Sequence, residues 1–264
     1  MNAIERNNVQ VRGRGQKPML FAHGYGCDHT MWRYVTPSFE DEYKIVLFDH
    51  VGFGKADTSV YTLGRYASLQ SYAVDILEIC EELELEDVIF VGHSVSAMIG
   101  VLASILDPAR FSKLVLIGPS PRYINDEEYT GGFSQEGIND LLTSLDSDYL
   151  NWSKAIAPVI MGNPQRPELA QELAQSFCKS NEVIAKDFAR ITFLSDNRSD
   201  LANVKTETLI LQCSEDVIAP MEVGEYMHRN LPNSSFKLLS ATGHCPNLSA
   251  PEETIAAIQE FLNK

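Results

Sequence analysis

Val88-Ile89-Phe90-Val91-Gly92-His93-Ser94-Val95-Ser96-Ala97-Met98-Ile99-Gly100 decides how the rest of the chain is read. An unbroken apolar run, the mark of a strand buried on both faces, meets Gly-x-Ser and passes at once into a helical pattern. That context defines a nucleophile elbow, in which Ser94 sits on a strained turn with its hydroxyl projecting above a sheet. The backbones two residues either side approach closely, so small residues are needed there. Gly92 meets the need, and Ser96 stands where glycine is more usual. Taken alone, the segment leaves a second role open, Ser94 as the cap of the following helix. The stretch from Ile89 to Leu106 carries no formal charge, yet Gly92, His93, Ser94, Ser96 and Gly100 make it strand, turn and helix rather than a membrane span.

Outward from the elbow, the same rhythm recurs. Val9–Arg12, Met19–Ala22, Lys44–Phe48, Val88–Val91, Leu114–Ile117, Thr208–Gln212 and Phe236–Leu239 read as strands, most of them fully apolar. Helical spacing separates several of them, as at Leu69, Tyr72, Ala73, Ile76, Leu77, Cys80 and Leu83. Such alternation predicts a parallel α/β sheet covered on both faces. Between about Arg122 and Ser195 the rhythm stops, and four helical stripes follow one another: Ile138 to Leu145, Tyr149 to Val159, Leu169 to Phe177, and Ile184 to Ile191. We expect residues 1–121 and 196–264 to form the core and residues 122–195 a lid over the ligand-binding edge of the sheet. The alternative is a separate helical bundle, for which the stripes are thin.

A serine hydroxyl needs a histidine base and a carboxylate to orient that base. In this elbow context the chain order is Ser, acid, His. Glu215 and Asp216 follow one late strand, and Gly243-His244 follows the last, so the expected triad is Ser94, one of the two acids, and His244. His23 and His93 read as structural, and His29, His50 and His228 as ordinary. The oxyanion donors would be the amides of Val95 and, from the His23-Gly24-Tyr25-Gly26 loop, Tyr25.

Composition narrows the partners. The chain has 264 residues, with 21 Lys+Arg against 36 Asp+Glu, a formal charge of −15. Such a surface repels phosphate backbones and anionic lipid, which argues against nucleic-acid or membrane-surface binding. The five cysteines are scattered and odd in number, which fits neither a disulfide framework nor a zinc site and suits a reducing cytoplasm. The opening residues, Met1 to Arg6, lack the pattern of a signal peptide. No metal or organic cofactor is expected.

The stretch from Gly92 to Gly100 resembles the elbow of the RsbQ family and of the related plant karrikin and strigolactone receptors, where Ser96 is a match rather than an oddity. His23 to Asp28 with Trp32, Ile117 to Tyr123, Gly131-Gly132-Phe133, Ser195 to Arg198, Asp216 to Pro220 and Gly243 to Ser249 fit the same family, so the resemblance spans nearly the whole chain. Gln212-Cys213 and His244-Cys245-Pro246 lean toward the bacterial RsbQ branch. The resemblance implies an α/β-hydrolase fold with a mostly parallel eight-stranded sheet and a four-helix lid over a deep apolar pocket. It selects Asp216 over Glu215 and implies a pocket wall of Tyr25, Val95, Tyr123, Phe133, Trp152, Ile156, Phe177 and Phe193. Ile156 stands where plant relatives usually carry an aromatic residue. The activity implied is hydrolysis of a small apolar ester or lactone-like compound, with a stress-signalling protein phosphatase as partner. A housekeeping carboxylesterase and a ligand-binding receptor with little turnover are the alternatives.

Overall fold

The computed structural model of the chain describes residues 1–263. Seven strands make one sheet: β1 (Gln10–Arg12), β2 (Lys17–Ala22), β3 (Tyr43–Leu47), β4 (Val88–His93), β5 (Phe111–Ile117), β6 (Glu207–Glu215) and β7 (Ser234–Thr242). Their order is β1-β3-β2-β4-β5-β6-β7, with β1 antiparallel and every other pair parallel. All six residues of β4 are buried, as a central strand covered on both faces requires.

These are the seven strands that the apolar runs mark, against the eight that the family resemblance implies. The segment preceding β1 forms a short helix, α1 (Ala3–Arg6), capped by the Asn2 side chain on the Glu5 amide. Arg6, at its end, is buried and reaches Asp75 at 3.0 Å and Glu78 at 2.6 Å. Those acids belong to α2 (Leu69–Glu82). These ion pairs fasten α1 to α2.

α3 (Val95–Leu106) leaves β4 without an intervening loop. Between β5 and β6 lie α4 (Gln135–Ser147), α5 (Tyr149–Met161), α6 (Pro167–Lys179) and α7 (Glu182–Phe193). Side chains of Ser134, Asp148 and Asn181 accept amide protons at the starts of α4, α5 and α7, and Pro167 opens α6. These caps satisfy orphan donors that a helix start otherwise leaves exposed. The apolar stripes turn inward: Ile138, Leu142, Leu145, Leu173, Phe177 and Phe188 are all buried. The chain continues through α8 (Met221–Asn230), between β6 and β7, to α9 (Pro246–Ser249) and α10 (Pro251–Leu262). Among the described residues no helix is long and apolar enough to cross a membrane.

After β3 the chain crosses β2 to place β4 on its other side. Ligands in open α/β sheets bind beyond the carboxyl ends of the strands at such a reversal. The loops leaving β2 and β4 therefore share the crevice.

Candidate active site

Ser94 follows β4 at φ 57°, ψ −124°, a conformation that a residue with a side chain rarely adopts. Its amide donates to the Ile117 carbonyl at 2.8 Å, and its side chain makes no capping bond to α3. Strain of this kind persists only where the surroundings over-determine it. Here the β4–β5 ladder does so, with His93 paired to Ile117.

Asp216 comes directly after β6 and His244 two residues after β7. Asp216 Oδ2 accepts from His244 Nδ1 at 2.6 Å, while its Oδ1 accepts from the amides of Ile218 at 2.8 Å and Ala219 at 3.1 Å. A carboxylate only accepts, so the imidazole proton is on Nδ1 and Nε2 is left with a lone pair. The Ser94 hydroxyl donates to that Nε2 across 2.7 Å. Ser94, Asp216 and His244 are all buried. Glu215 is exposed and contributes only its carbonyl, which accepts from the Gly243 amide at 2.7 Å.

Two loops that carry these groups are fastened to the helices above them. The His244 amide donates to the Ile160 carbonyl at 2.8 Å, near the end of α5. Gly243 sits at φ 79°, and a Cβ there would lie 1.9 Å from the Met161 carbonyl oxygen, so the approach requires glycine. On the β2 side, the Tyr25 hydroxyl donates to the Ala185 carbonyl of α7 at 3.1 Å, and the Ser176 hydroxyl of α6 donates to the Gly26 carbonyl at 2.8 Å. The Tyr25 ring stacks on Phe188 and meets Trp152 and Phe177 edge-on. The backbone amides of Tyr25 and Val95 are not taken up by any protein acceptor among the described residues.

Above the Ser94 hydroxyl is a narrow, mostly apolar cavity of about 40 Å³. Tyr25, Tyr123, Trp152, Ile156, Phe177 and Phe193 line it together with Ser94 and His244. Phe133, expected in the wall, is not part of the lining. It packs against Phe193 with ring centroids 6.5 Å apart, and its backbone is paired with Tyr123 and Asn125. Val95 is buried beside the elbow and likewise does not line the cavity, its apolar side chain packing into the core. The sequence reading missed Cys27, Leu141, Ile160, Leu173, Thr192, Ile218 and Cys245. Leu141 and Leu173 belonged to stripes already recognised, and Ile218 and Cys245 are close neighbours of the expected acid and base. Nothing in a linear pattern says which member of a stripe faces a cavity rather than a neighbouring helix.

Burial governs the titratable groups. It pushes the Tyr123 phenol up, so the hydroxyl facing Ser94 stays protonated. It also pushes up the Cys27 and Cys245 thiols, leaving them neutral and poor rivals to Ser94 as nucleophile. Burial lowers His93 to about 3, with the nearby His244 adding to the effect. Neutral His93 donates from Nε2 to the His244 carbonyl at 2.7 Å, the structural role expected of it. Asp28, His29 and Asp49 bring potential ligand atoms within 4.8 Å of one another. The Asp49 carboxylate, however, is taken up by the His29 ring and by the amides of His29 and Lys55. That cluster braces loops.

A strained serine after a central strand, a histidine and a buried carboxylate in one hydrogen-bonded line, and a helical cap above them define a class. The chain belongs to the alpha/beta hydrolase family, whose pattern matches residues 19–257. Within it, the chain is 38% identical to the Karrikin insensitive 2 receptor CA of Petunia hybrida over 98% of this chain and 96% of that protein. It is 36% identical to the Strigolactone esterase D14 of Arabidopsis thaliana over 100% of this chain and 97% of that one. A solved hydrolase structure from Oleispira antarctica superposes with a TM-score of 0.96 at 39% identity, covering 99% of this chain and 96% of its own. The chain is thus a serine hydrolase related to the karrikin and strigolactone receptors.

Proposed function

We propose that Ser94 is the nucleophile, His244 the general base and Asp216 the group that orients the base, acting on a small, largely apolar ester or lactone-like compound. The observation that carries this reading is the line Ser94 Oγ–His244 Nε2, His244 Nδ1–Asp216 Oδ2 at the floor of an apolar cavity. In the reaction Ser94 Oγ adds to the substrate carbonyl as its proton passes to His244 Nε2. The amides of Val95 and Tyr25 receive the oxyanion. Collapse expels the alcohol, protonated by His244, and water activated by the same imidazole releases the acid.

The kinship with proteins named as karrikin receptors and a strigolactone esterase supports a signalling ligand rather than bulk metabolism. The RsbQ-like residues at Gln212-Cys213 and His244-Cys245-Pro246 support a stress-signalling phosphatase as partner, in the cytoplasm. Two assays test the two levels. Ser94→Ala is expected to lower p-nitrophenyl acetate turnover by about 10⁶-fold, and substantial residual turnover would sink the mechanism. In a stress-reporter strain the same variant should still bind the phosphatase in a pull-down yet fail to activate it. Full reporter activity would make the protein a carrier.

A further inference from the structure

Ser96 does more than fit where glycine is usual. It is fully buried on the first turn of α3, and its hydroxyl donates to the carbonyl of His23, the first residue after β2. A hydroxyl has one proton. The His50 Nε2 that lies 2.7 Å from Ser96 Oγ must therefore be the donor in that contact. His50 is then a neutral Nε2–H imidazole, consistent with burial holding its pKa well below the ordinary value. Its Nδ1, the unprotonated nitrogen, has no partner. The His50 amide in turn donates to His23 Nε2 at 3.0 Å, so His23 carries its proton on Nδ1 and donates it to the Gly24 carbonyl at 2.8 Å.

One assignment of protons satisfies every contact in this set. Its end point is the peptide joining Gly24 to Tyr25. That unit is planar and trans, so the direction of its C=O sets the direction of its N–H. The amide concerned is that of Tyr25.

We propose that Ser96, backed by His50, is a positioning residue for the oxyanion hole: it anchors His23, whose ring aims the Gly24–Tyr25 peptide so that the Tyr25 amide points into the site. The proposal rests on the reading of Ser94 as nucleophile and Tyr25 as oxyanion donor. Loss of a whole oxyanion donor costs about 10²- to 10³-fold in kcat. A donor still present but released from its anchor should cost about ten- to a hundredfold.

The test uses Ser96→Ala, Ser96→Gly, His50→Phe and the double variant Ser96→Ala/His50→Phe, each titrated with a fluorophosphonate so that rates refer to folded sites. For p-nitrophenyl acetate the expected result is a fall in kcat with KM within about twofold. Affinity for a trifluoromethyl ketone, a mimic of the tetrahedral intermediate, should fall in parallel with kcat/KM. The double variant should lose no more than Ser96→Ala alone, because both act through one anchor. A kcat within twofold of wild type in titrated Ser96→Ala and Ser96→Gly would overturn the proposal. So would losses that multiply in the double variant, or a loss confined to KM. Ser94→Ala, run alongside, separates the outcomes: if it retains turnover, the nucleophile reading itself has failed.

Discussion

Replacing Asp216 by asparagine tests the site at the one group whose two oxygens do different work. Oδ1 accepts two backbone amides, from Ile218 and Ala219, and Oδ2 accepts one proton, from His244 Nδ1. Asparagine offers one oxygen and one NH₂. Turned with its oxygen toward the amides, it keeps two hydrogen bonds and points a donor at the imidazole. Turned the other way, it keeps one and sets donor against donor twice. The first orientation wins, and the imidazole must answer by moving its proton to Nε2. That nitrogen faces Ser94 Oγ and can then no longer accept the serine proton. The expected loss in kcat is about 10⁴-fold, as for an inverted tautomer in other serine triads, which corresponds to about 5 kcal/mol in the barrier. KM and thermal midpoint should change little, since the two amide bonds survive. Steady-state hydrolysis of p-nitrophenyl acetate with active-site titration measures the loss. Glu215→Gln serves as the control, with a change under about threefold expected for an exposed side chain. A loss below tenfold in Asp216→Asn, or an equal loss in Glu215→Gln, would refute the assignment.

Two further expectations concern the cavity wall and acid stability. Ile156→Phe adds volume to the lining and should lower kcat/KM for p-nitrophenyl hexanoate about tenfold relative to the acetate; equal effects on both esters would mean that Ile156 does not contact the acyl group. His93 is neutral when folded, with its pKa lowered to about 3, against an ordinary value near 6.5. The unfolded chain binds that proton first, so the stability contribution is full above about pH 6.5 and is lost as pH falls toward 3, by about 2 kcal/mol at pH 5. Urea midpoints at pH 7.5 and 5 measure it, and an unchanged midpoint would contradict the buried neutral ring.

The core of the fold and the chemistry were legible because each is written locally. A continuous apolar run, Val88 to Val91, can only be a covered strand, and Gly92-His93-Ser94 at its end dictates a tight turn. The order serine, acid, histidine then follows from strand ends that share one edge, while the choice of Asp216 over Glu215 came only with the family resemblance. All seven strands were marked by their apolar runs, and the count of eight came from the family resemblance alone; the short helix α1 was not legible, because Arg6 is held by partners more than sixty residues away. Phe133 is absent from the cavity lining; it lies on a short segment paired with Tyr123 and Asn125, outside any helical period the sequence could show. The Ser96–His50–His23 set was invisible to pattern, since it joins the ends of three strands and depends on which nitrogen of each ring holds a proton.

The helices over the sheet act less as a hinged cover than as part of the frame. α5 grips the histidine loop through Ile160, while α6 and α7 grip the Tyr25 loop through Ser176 and Ala185. Swinging all four away would strip three hydrogen bonds from the loops that hold the reacting groups. Among the described residues no hydrogen bond joins α4 to either loop. A surface groove between α4 and α5 shares Leu141, Trp152 and Ile156 with the cavity. Displacing α4 along this seam would leave those three hydrogen bonds in place, at the cost of contacts among Leu141, Trp152 and Ile156 and of the ties from Arg190 and Lys186 of α7 to Asp146.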